Sequence, residues 1–193
     1  MELKPEIIEK IKLLDDKYQA MGQNLSSYLD GLLYANYLTY WDYIHLDTLL
    51  SLQNPKTNIP DEEIFIMYHQ ITELYFKLCL HEFNQLKDKE NLDVVFLTQR
   101  VGRINRYFEA LIASFNIMVD GMDPQQFLKF RMSLLPASGF QSGQYRMIEI
   151  CSTSFKNIVA KDIRNTFTDE ISDEGIEQMY EHLYWKSGAT ELS

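Results

Sequence analysis

The spacing of apolar residues along the chain predicts a protein built of helices. Strict alternation of apolar and polar positions, which is typical of half-buried strands, is nearly absent, whereas apolar residues recur at intervals of three and four. Five prolines and eight glycines among 193 residues leave room for long uninterrupted segments. We therefore expect an all-α fold whose helices bury one or more apolar faces.

Prolines, glycines and acidic clusters predict where the helices begin and end. The first amphipathic helix should run from Pro5 to about Tyr18. The elements predicted after it are a short helix, an aromatic turn near 37–41 and a helix from about Tyr43 to Leu52. A long helix should then run from Pro60 to about Lys87, because a proline and the three carboxylates after it favour a first helical turn.

Four further helices are predicted in the second half of the chain. A long one should begin near Asp93 and be closed by Gly121 and Pro124, and a shorter one should be stopped by Pro136. A loop of small residues at 138–143 should lead into a third helix. The last helix should begin near Asp173.

Composition and charge narrow the class of protein. Hydrophobic residues make up 46% and charged residues 24% of the chain, which is typical of a folded domain of this length. The net charge of −10 argues against nucleic acid or an anionic membrane surface as a partner, since both select clustered Lys and Arg. The N-terminal sequence lacks the apolar run of a signal peptide or membrane span, so we expect a soluble, cytoplasmic protein. Cys79 and Cys151 lack metal-binding spacing and should be buried free thiols in that reducing compartment.

The long helix from Pro60 carries a histidine within an otherwise apolar stretch, FIMYHQITELYFKL. One stripe of this helix consists of Phe65, His69, Thr72, Phe76 and Phe83, and a separate stripe is polar. Spacing leaves two interpretations of His69 open. It could be a core histidine bonded to a backbone carbonyl, or an imidazole that lines an apolar ligand pocket.

Two other clusters could bind a ligand. In FLKFRMSLLPASGFQS, Phe127 and Arg131 lie four residues apart on one helical face, and Ser138 lies on the loop that follows. Arg131 could be a surface arginine with a packed stem, or a clamp for a carboxylate, whose geometry the guanidinium matches. In YANYLTYWDYIHLD, the aromatic residues around Tyr40 are more typical of a core or an interface than of a cofactor site. The sequence has no phosphate-binding loop, nucleophile elbow or paired metal ligands, so no metal-ligating side chain is predicted.

Together, the three clusters resemble the tryptophan 2,3-dioxygenase family of haem proteins. The matching stretches are YWDYIHLDTLLSLQ, DEEIFIMYHQITELYFK and FLKFRMSLLPASGFQSGQYRMIE, which lie between roughly Tyr40 and Glu149. The resemblance implies a helical bundle of the tryptophan/indoleamine dioxygenase type with a b-type haem. It also implies oxidative cleavage of the indole ring of L-tryptophan by O2, giving N-formylkynurenine in the kynurenine pathway of tryptophan catabolism.

The resemblance places three residues where substrate and haem would meet. His69 is then the distal histidine, whose imidazole hydrogen-bonds the indole N–H. Phe65, one turn earlier, packs on the substrate in the haem pocket. Ser138 matches the serine of the SGFQS loop beside the haem edge.

Three further residues are implied in substrate binding. Arg131 matches the arginine that pairs with the substrate carboxylate, and Phe127 occupies a position that is aromatic in the family. Tyr40 matches a tyrosine that reaches into the active site of a neighbouring subunit. The family forms homotetramers, so the resemblance implies a homo-oligomer in which the amphipathic N-terminal helix packs on a partner chain.

The C-terminal part of the family pattern has no match in the sequence. In the family, a proximal histidine in the C-terminal half holds the haem iron and a Gly/Thr-rich loop contacts the substrate ammonium, and neither occurs before Ser193. His182 is the only histidine after the matching region, and its neighbours do not resemble the proximal motif. We therefore expect residues 1–193 to form a single helical domain that is an incomplete portion of a longer haem dioxygenase. The alternative is a haem-free helical homologue or fragment that binds an indole or another aromatic amino acid without catalysis.

Overall fold

A computed structural model describes residues 4–35, 39–135, 139–167 and 172–184 of the chain. Within these ranges the regular structure is helical, and the only β-type pairing is an isolated bridge between Val159 and Leu183. The expected all-α fold is confirmed. Contacts divide the chain into two compact units, residues 1–52 and residues 53–193. The expectation of a single domain stays a prediction.

The described part of the first unit contains four helices. They are α1 Pro5–Ala20, α2 Leu25–Leu33, α3 Tyr40–Tyr43 and α4 Leu46–Leu49. Helix α2 begins after Asn24, whose side chain accepts a hydrogen bond from the backbone N–H of Ser26. The predicted helix from Tyr43 to Leu52 is shorter than expected, because His45 adopts a left-handed conformation with φ of 52° between α3 and α4. The predicted aromatic turn lies partly outside the described residues.

The described part of the second unit contains six α-helices. They are α5 Asp61–Lys87, α6 Val94–Ser114, α7 Asn116–Val119, α8 Pro124–Phe130, α9 Gly143–Ser152 and α10 Asp173–Glu181. Side-chain oxygens of Asp93, Asp123, Ser142 and Ser172 accept hydrogen bonds from the first turns of α6, α8, α9 and α10. The prediction of one helix after Asp93 differs from the structure, which ends α6 at Ser114 and continues as the separate short helix α7.

Two carboxylates at the start of α5 are buried and hold the neighbouring loops. Glu62 accepts hydrogen bonds from the backbone N–H groups of Lys56 and Thr57, at 2.8 and 2.7 Å, and from the Thr57 hydroxyl. Asp61 accepts one from the backbone N–H of Asp123 at 2.6 Å. Burial raises the pKa of Glu62, but the hydrogen bonds outweigh burial, and the pKa lies below its usual value. The acidic first turn therefore anchors loops as well as matching the helix dipole.

The core of the second unit lies where α5, α6 and α9 meet. Cys79, Ile104 and Ile148, one from each helix, form its buried centre. The larger side chains that pack around this centre are Phe76, Leu80, Phe83, Tyr107 and Phe108. This packing fixes α9 beside α5, which positions the wall of the site described below.

A buried carboxylate ties α5 to α6 beside this core. Glu82 is 1% exposed and accepts hydrogen bonds from Arg100 at 3.1 Å, Arg103 at 3.4 Å and Tyr107 at 3.2 Å. Burial raises the pKa of Glu82, but the three donors outweigh it, so the pKa lies below its ordinary value. The cluster therefore holds a charged carboxylate inside the helix pair.

The two cysteines differ in exposure. Cys79 is buried, as predicted, but the prediction for Cys151 is wrong: it is exposed, because it lies in the last turn of α9 with its side chain facing out of the unit. Neither thiol is in a disulfide. None of the described helices combines the length and the apolar character needed to cross a bilayer.

Candidate functional site

Phe65 of α5 and Phe127 and Phe130 of α8 form an aromatic cluster. Phe130 is fully buried, and its ring lies edge-on to Phe65 at a centroid distance of 5.7 Å and edge-on to Phe127 at 5.5 Å. The Phe65 and Phe127 rings are 6.2 Å apart. Because edge-to-face packing restrains ring orientation, Phe130 holds the two predicted site residues against each other.

Arg131 extends this cluster with a positive charge. It follows the last residue of α8 and is the first residue of the 3-10 helix Arg131–Leu134. Its guanidinium carbon is 5.9 Å from the centre of the Phe127 ring. The residue is exposed, and none of the ion pairs in the described ranges involves it. A guanidinium that is oriented by an aromatic face and exposed to solvent can donate two parallel hydrogen bonds to an incoming carboxylate.

His69 lies one turn after Phe65 and is oriented by it. The imidazole Nδ1 is 2.8 Å from the Phe65 carbonyl oxygen, and the two rings are 4.0 Å apart. A carbonyl oxygen can only accept a hydrogen bond, so Nδ1 is the donor, and in the neutral ring Nε2 keeps its lone pair. His69 makes the backbone hydrogen bond expected of a core histidine, but it is exposed.

An open cavity of about 400 Å³ lies beside His69, between α5, α6 and α9. Its lining residues are Tyr68, His69, Thr72, Phe76, Phe108, Leu111, Ile112, Phe115 and Tyr145. Aromatic and aliphatic side chains predominate, and the imidazole and a few hydroxyl groups are the polar exceptions. A concave apolar surface with few polar groups suits a flat aromatic ligand.

The α9 wall of this cavity is held by specific contacts. Tyr145 packs on Phe76 of α5, with ring centroids 5.3 Å apart. The preceding Gln144 donates its side-chain amide to both the carbonyl oxygen and the carboxylate of Glu73, at 2.9 and 2.8 Å. Ser142 caps α9 by accepting from the Tyr145 backbone N–H. The position of Tyr145 is therefore set by two helices.

Four of the six predicted site residues come together in the second unit. Phe65, His69, Phe127 and Arg131 are linked by the ring contacts of α5 and α8. Ser138 lies outside the described residues. Tyr40 is the first residue of α3 in the first unit, where its side chain is 75% exposed. The roles of all six stay predictions.

The remaining histidine considered from the sequence lies away from this cavity lining. His182 follows α10, is exposed, and has its ring 6.4 Å from that of Phe167. Across the described ranges, no group of three or more His, Cys, Asp or Glu side chains is arranged to hold a metal ion.

Sequence reasoning missed two features of the site. The buried anchor Phe130 was not singled out, although it lies three residues after Phe127 in the same short helix. Tyr145 was also missed as a wall residue, because its role depends on how α9 packs against α5. The apolar spacing of α6 was visible in the sequence, but its pairing with the face of α5 that carries His69 was not.

The described part of the second unit combines an apolar cavity, an imidazole at its edge and a guanidinium on the adjoining aromatic cluster. The chain belongs to the tryptophan 2,3-dioxygenase family. A sequence model of that family, described as tryptophan 2,3-dioxygenase, matches residues 32–183.

Curated relatives support the assignment. The chain is 38% identical over 117 residues to a tryptophan 2,3-dioxygenase of Ruegeria sp. (strain TM1040), covering 60% of this chain and 42% of the relative. It is 40% identical over 115 residues to one of Bacillus thuringiensis (strain Al Hakam), covering 58% and 40%, and 44% identical over 116 residues to one of Herpetosiphon aurantiacus, covering 58% and 44%. The chain therefore spans about two fifths of the length of the curated relatives it matches.

Proposed function

We propose that these residues form the substrate side of the active site of a haem-dependent tryptophan 2,3-dioxygenase, which cleaves the indole ring of L-tryptophan with O2 to N-formylkynurenine. The observation that carries the proposal is His69, held by the Phe65 backbone between an aromatic cluster bearing a cation and an apolar cavity. Because the chain spans about two fifths of its relatives, the activity is proposed for the assembled enzyme.

His69 supplies a hydrogen-bond acceptor for the indole N–H. Its Nδ1–H is engaged by the Phe65 carbonyl, which restrains ring rotation and directs the lone pair of Nε2 away from the helix backbone. The neutral imidazole accepts from an indole nitrogen, whereas the imidazolium has no acceptor. Binding of the indole therefore requires His69 in its neutral form.

Arg131 and Phe127 bind the amino acid end of the substrate. A carboxylate that enters an apolar pocket loses hydration, which is costly unless a cation pairs with it. Arg131 provides that cation, and Phe127 lies under its guanidinium at 5.9 Å. The Phe65 ring lies 4.0 Å from the His69 ring and packs on the face of the indole.

The cavity suits one side of a haem. Its aromatic and aliphatic lining matches the apolar macrocycle and includes His69. The other residues proposed to contact the haem are Phe65, whose ring packs on that of His69, and Ser138, which lies outside the described residues. The iron-binding histidine that the family resemblance implies has no match in the sequence, and the lining includes His69 but neither His81 nor His182. We therefore expect the residue that would hold the haem iron to come from outside this chain's described residues. When bound, the haem supplies the activation of O2 that no side chain can provide.

Further copies of the chain are the proposed partners, in the homotetramer typical of the family. Helix α5 has an outer stripe, Met67, Ile71, Leu74 and Leu78, whose exposed fractions lie between 39% and 49%. A continuous apolar stripe of this kind is typical of an interface. Tyr40, 75% exposed, is available to reach a neighbouring active site. Substituting Leu74→Glu should lower the mass measured by light scattering, whereas Glu63→Gln on the same helix should leave it unchanged.

We also propose a cytoplasmic location. The exposed thiol of Cys151 is free, which suits a reducing compartment.

Absorption spectra of the assembled, haem-loaded enzyme that contains this chain test the proposal. We expect L-tryptophan to shift the Soret band of the parent, and to do so in His81→Phe, which removes an exposed histidine from the same helix. His69→Phe should lose the tryptophan-dependent shift. A broad spectrum of free haemin that L-tryptophan leaves unchanged in the parent would contradict the proposal.

A further inference from the structure

Residues 172–184 pack on the rest of the second unit through buried contacts. Val159 is fully buried and forms an isolated backbone bridge with Leu183, which is 1% exposed. Met179 of α10 is 2% exposed, and the backbone N–H of Ala160 donates to the carbonyl of His182 at 3.0 Å. The docking brings the Tyr184 side chain against α9.

On α9, Tyr184 completes a cluster with a buried cation. Its hydroxyl accepts a hydrogen bond from Arg146 at 2.5 Å and donates one to Glu149 at 2.5 Å. Arg146 and Glu149 also form an ion pair at 2.8 Å, and their side chains are 12% and 20% exposed. The phenol hydroxyl therefore bridges both members of a largely buried ion pair.

The same cation packs against a residue of the cavity wall. The guanidinium carbon of Arg146 is 4.7 Å from the centre of the Tyr145 ring and 5.5 Å from that of Tyr184. Tyr145 lines the cavity and packs on Phe76 on its other side. The orientation of the Arg146 guanidinium thus links Tyr184, which does not line the cavity, to Tyr145, which does.

We propose that Tyr184 is a positioning residue: through Arg146 it fixes the Tyr145 ring at the cavity wall and so sets the affinity of the cavity for a flat aromatic ligand. The identity of that ligand as an indole rests on the proposed function. Removing the Tyr184 hydroxyl takes away a hydrogen-bond acceptor that orients the planar fork of Arg146. Its contact with the Tyr145 ring then weakens, since a cation–π contact depends on the position of the cation over the face.

Nuclear magnetic resonance of the full chain with ¹³C-labelled tyrosine rings reads this effect directly. The Tyr145 signal is assigned by its loss in Tyr145→Phe, and indole is the titrated probe. In Tyr184→Phe we expect the Tyr145 signal to shift and the affinity for indole to fall by about three- to tenfold, the range of a weakened cation–π contact.

Tyr107→Phe is the matched control. It also removes a phenol hydroxyl that donates to a buried carboxylate, Glu82, in the same unit. It should lower the unfolding temperature without moving the Tyr145 signal or the affinity for indole. A purely structural role of Tyr184 would give the same pattern in both variants.

The outcomes separate this proposal from the proposed function. An unchanged Tyr145 signal and an unchanged indole affinity in Tyr184→Phe would overturn it. If that variant does not fold, Glu149→Gln, which breaks the ion pair with Arg146, should produce the same two changes, and their absence would overturn it equally. A shifted Tyr145 signal and weaker indole binding, in a parent that never responds to haemin and L-tryptophan, would support the positioning role and refute the dioxygenase proposal.

Discussion

Arg131 offers the sharpest test of the proposal that the site binds an amino acid. The substitution Arg131→Met removes the guanidinium and keeps a flexible apolar stem that can still pack on Phe127, which lies 5.9 Å from the native guanidinium. If Arg131 pairs with the substrate carboxylate, tryptophan should lose this interaction and tryptamine, which lacks a carboxylate, should not. Tryptamine binding should be unchanged or slightly tighter, because removing Arg131 also removes a like charge.

The size of the effect follows from the exposure of Arg131. Hydrogen bonds to charged groups contribute about 1.5–3 kcal/mol when sheltered, and exposed ion pairs contribute about 1 kcal/mol or less. Arg131 is exposed in the described structure but becomes partly covered when a ligand occupies the site, so we expect a loss of about 1–2 kcal/mol, roughly five- to thirtyfold in affinity.

Calorimetric or ligand-detected titrations of both ligands measure this difference. Arg106→Met, which removes an exposed cation from α6, is the control for the general loss of positive charge and should leave both affinities unchanged. Equal weakening of tryptophan and tryptamine by Arg131→Met would refute the carboxylate pair, since only a loss of packing affects both. An unchanged tryptophan affinity would refute it as well.

Three further predictions concern stability. Glu82→Gln should lower the free energy of unfolding in urea by about 3 kcal/mol, because it leaves Arg100 beside a neutral amide in a buried site, whereas exposed Glu109→Gln should change it little. The pKa values of Glu62 and Glu82 are lowered in the folded protein, so both carboxylates contribute to the free energy of unfolding above about pH 4.5, their ordinary pKa. This contribution is lost as the pH falls through their folded-state pKa values. The Glu82→Gln variant should therefore lose less stability between pH 7 and pH 3.5 than the parent. Phe130→Ala should cost about 3–5 kcal/mol and Phe130→Leu clearly less, since Phe130 is fully buried between two rings; equal effects of the two substitutions would contradict the packing role.

Local chemistry explains why most helix ends were predictable. Pro60 and the three carboxylates that follow it mark the start of helix α5, and side chains cap the first turns of α6 and α8. These signals lie within four residues of the helix that they start, so they can be recognised in the sequence. The break at His45 was not predictable, because residues other than glycine seldom adopt the left-handed conformation and no glycine marks this position. The prediction that Cys151 is buried was wrong because apolar spacing identifies one face of a helix but does not show whether another element covers that face.

The site was predictable to the extent that it lies on single helices. The four-residue spacings of Phe65 with His69 and of Phe127 with Arg131 are enough to predict that each pair shares one helical face. Packing of α8 against α5 brings the two pairs together through Phe130, a contact between residues 65 positions apart that no local pattern contains. Tyr145 and its link to Tyr184 depend on such distant contacts as well.

The unusual apolar composition of α5 follows from its two different packing faces. Its inner face, with Phe76 and Cys79, packs on α6 and α9, while the outer stripe from Met67 to Leu78 is exposed in the single chain. A helix that is apolar nearly all round is expected to be buried on most sides, which is the reason for proposing that further copies cover the outer stripe. His69 lies at the edge of the inner face, on the stripe that carries Phe76, where it can be held by its own backbone and still meet a ligand in the cavity. The position of the cavity at the edge of the inner face therefore fits the ligand-binding role proposed for the imidazole.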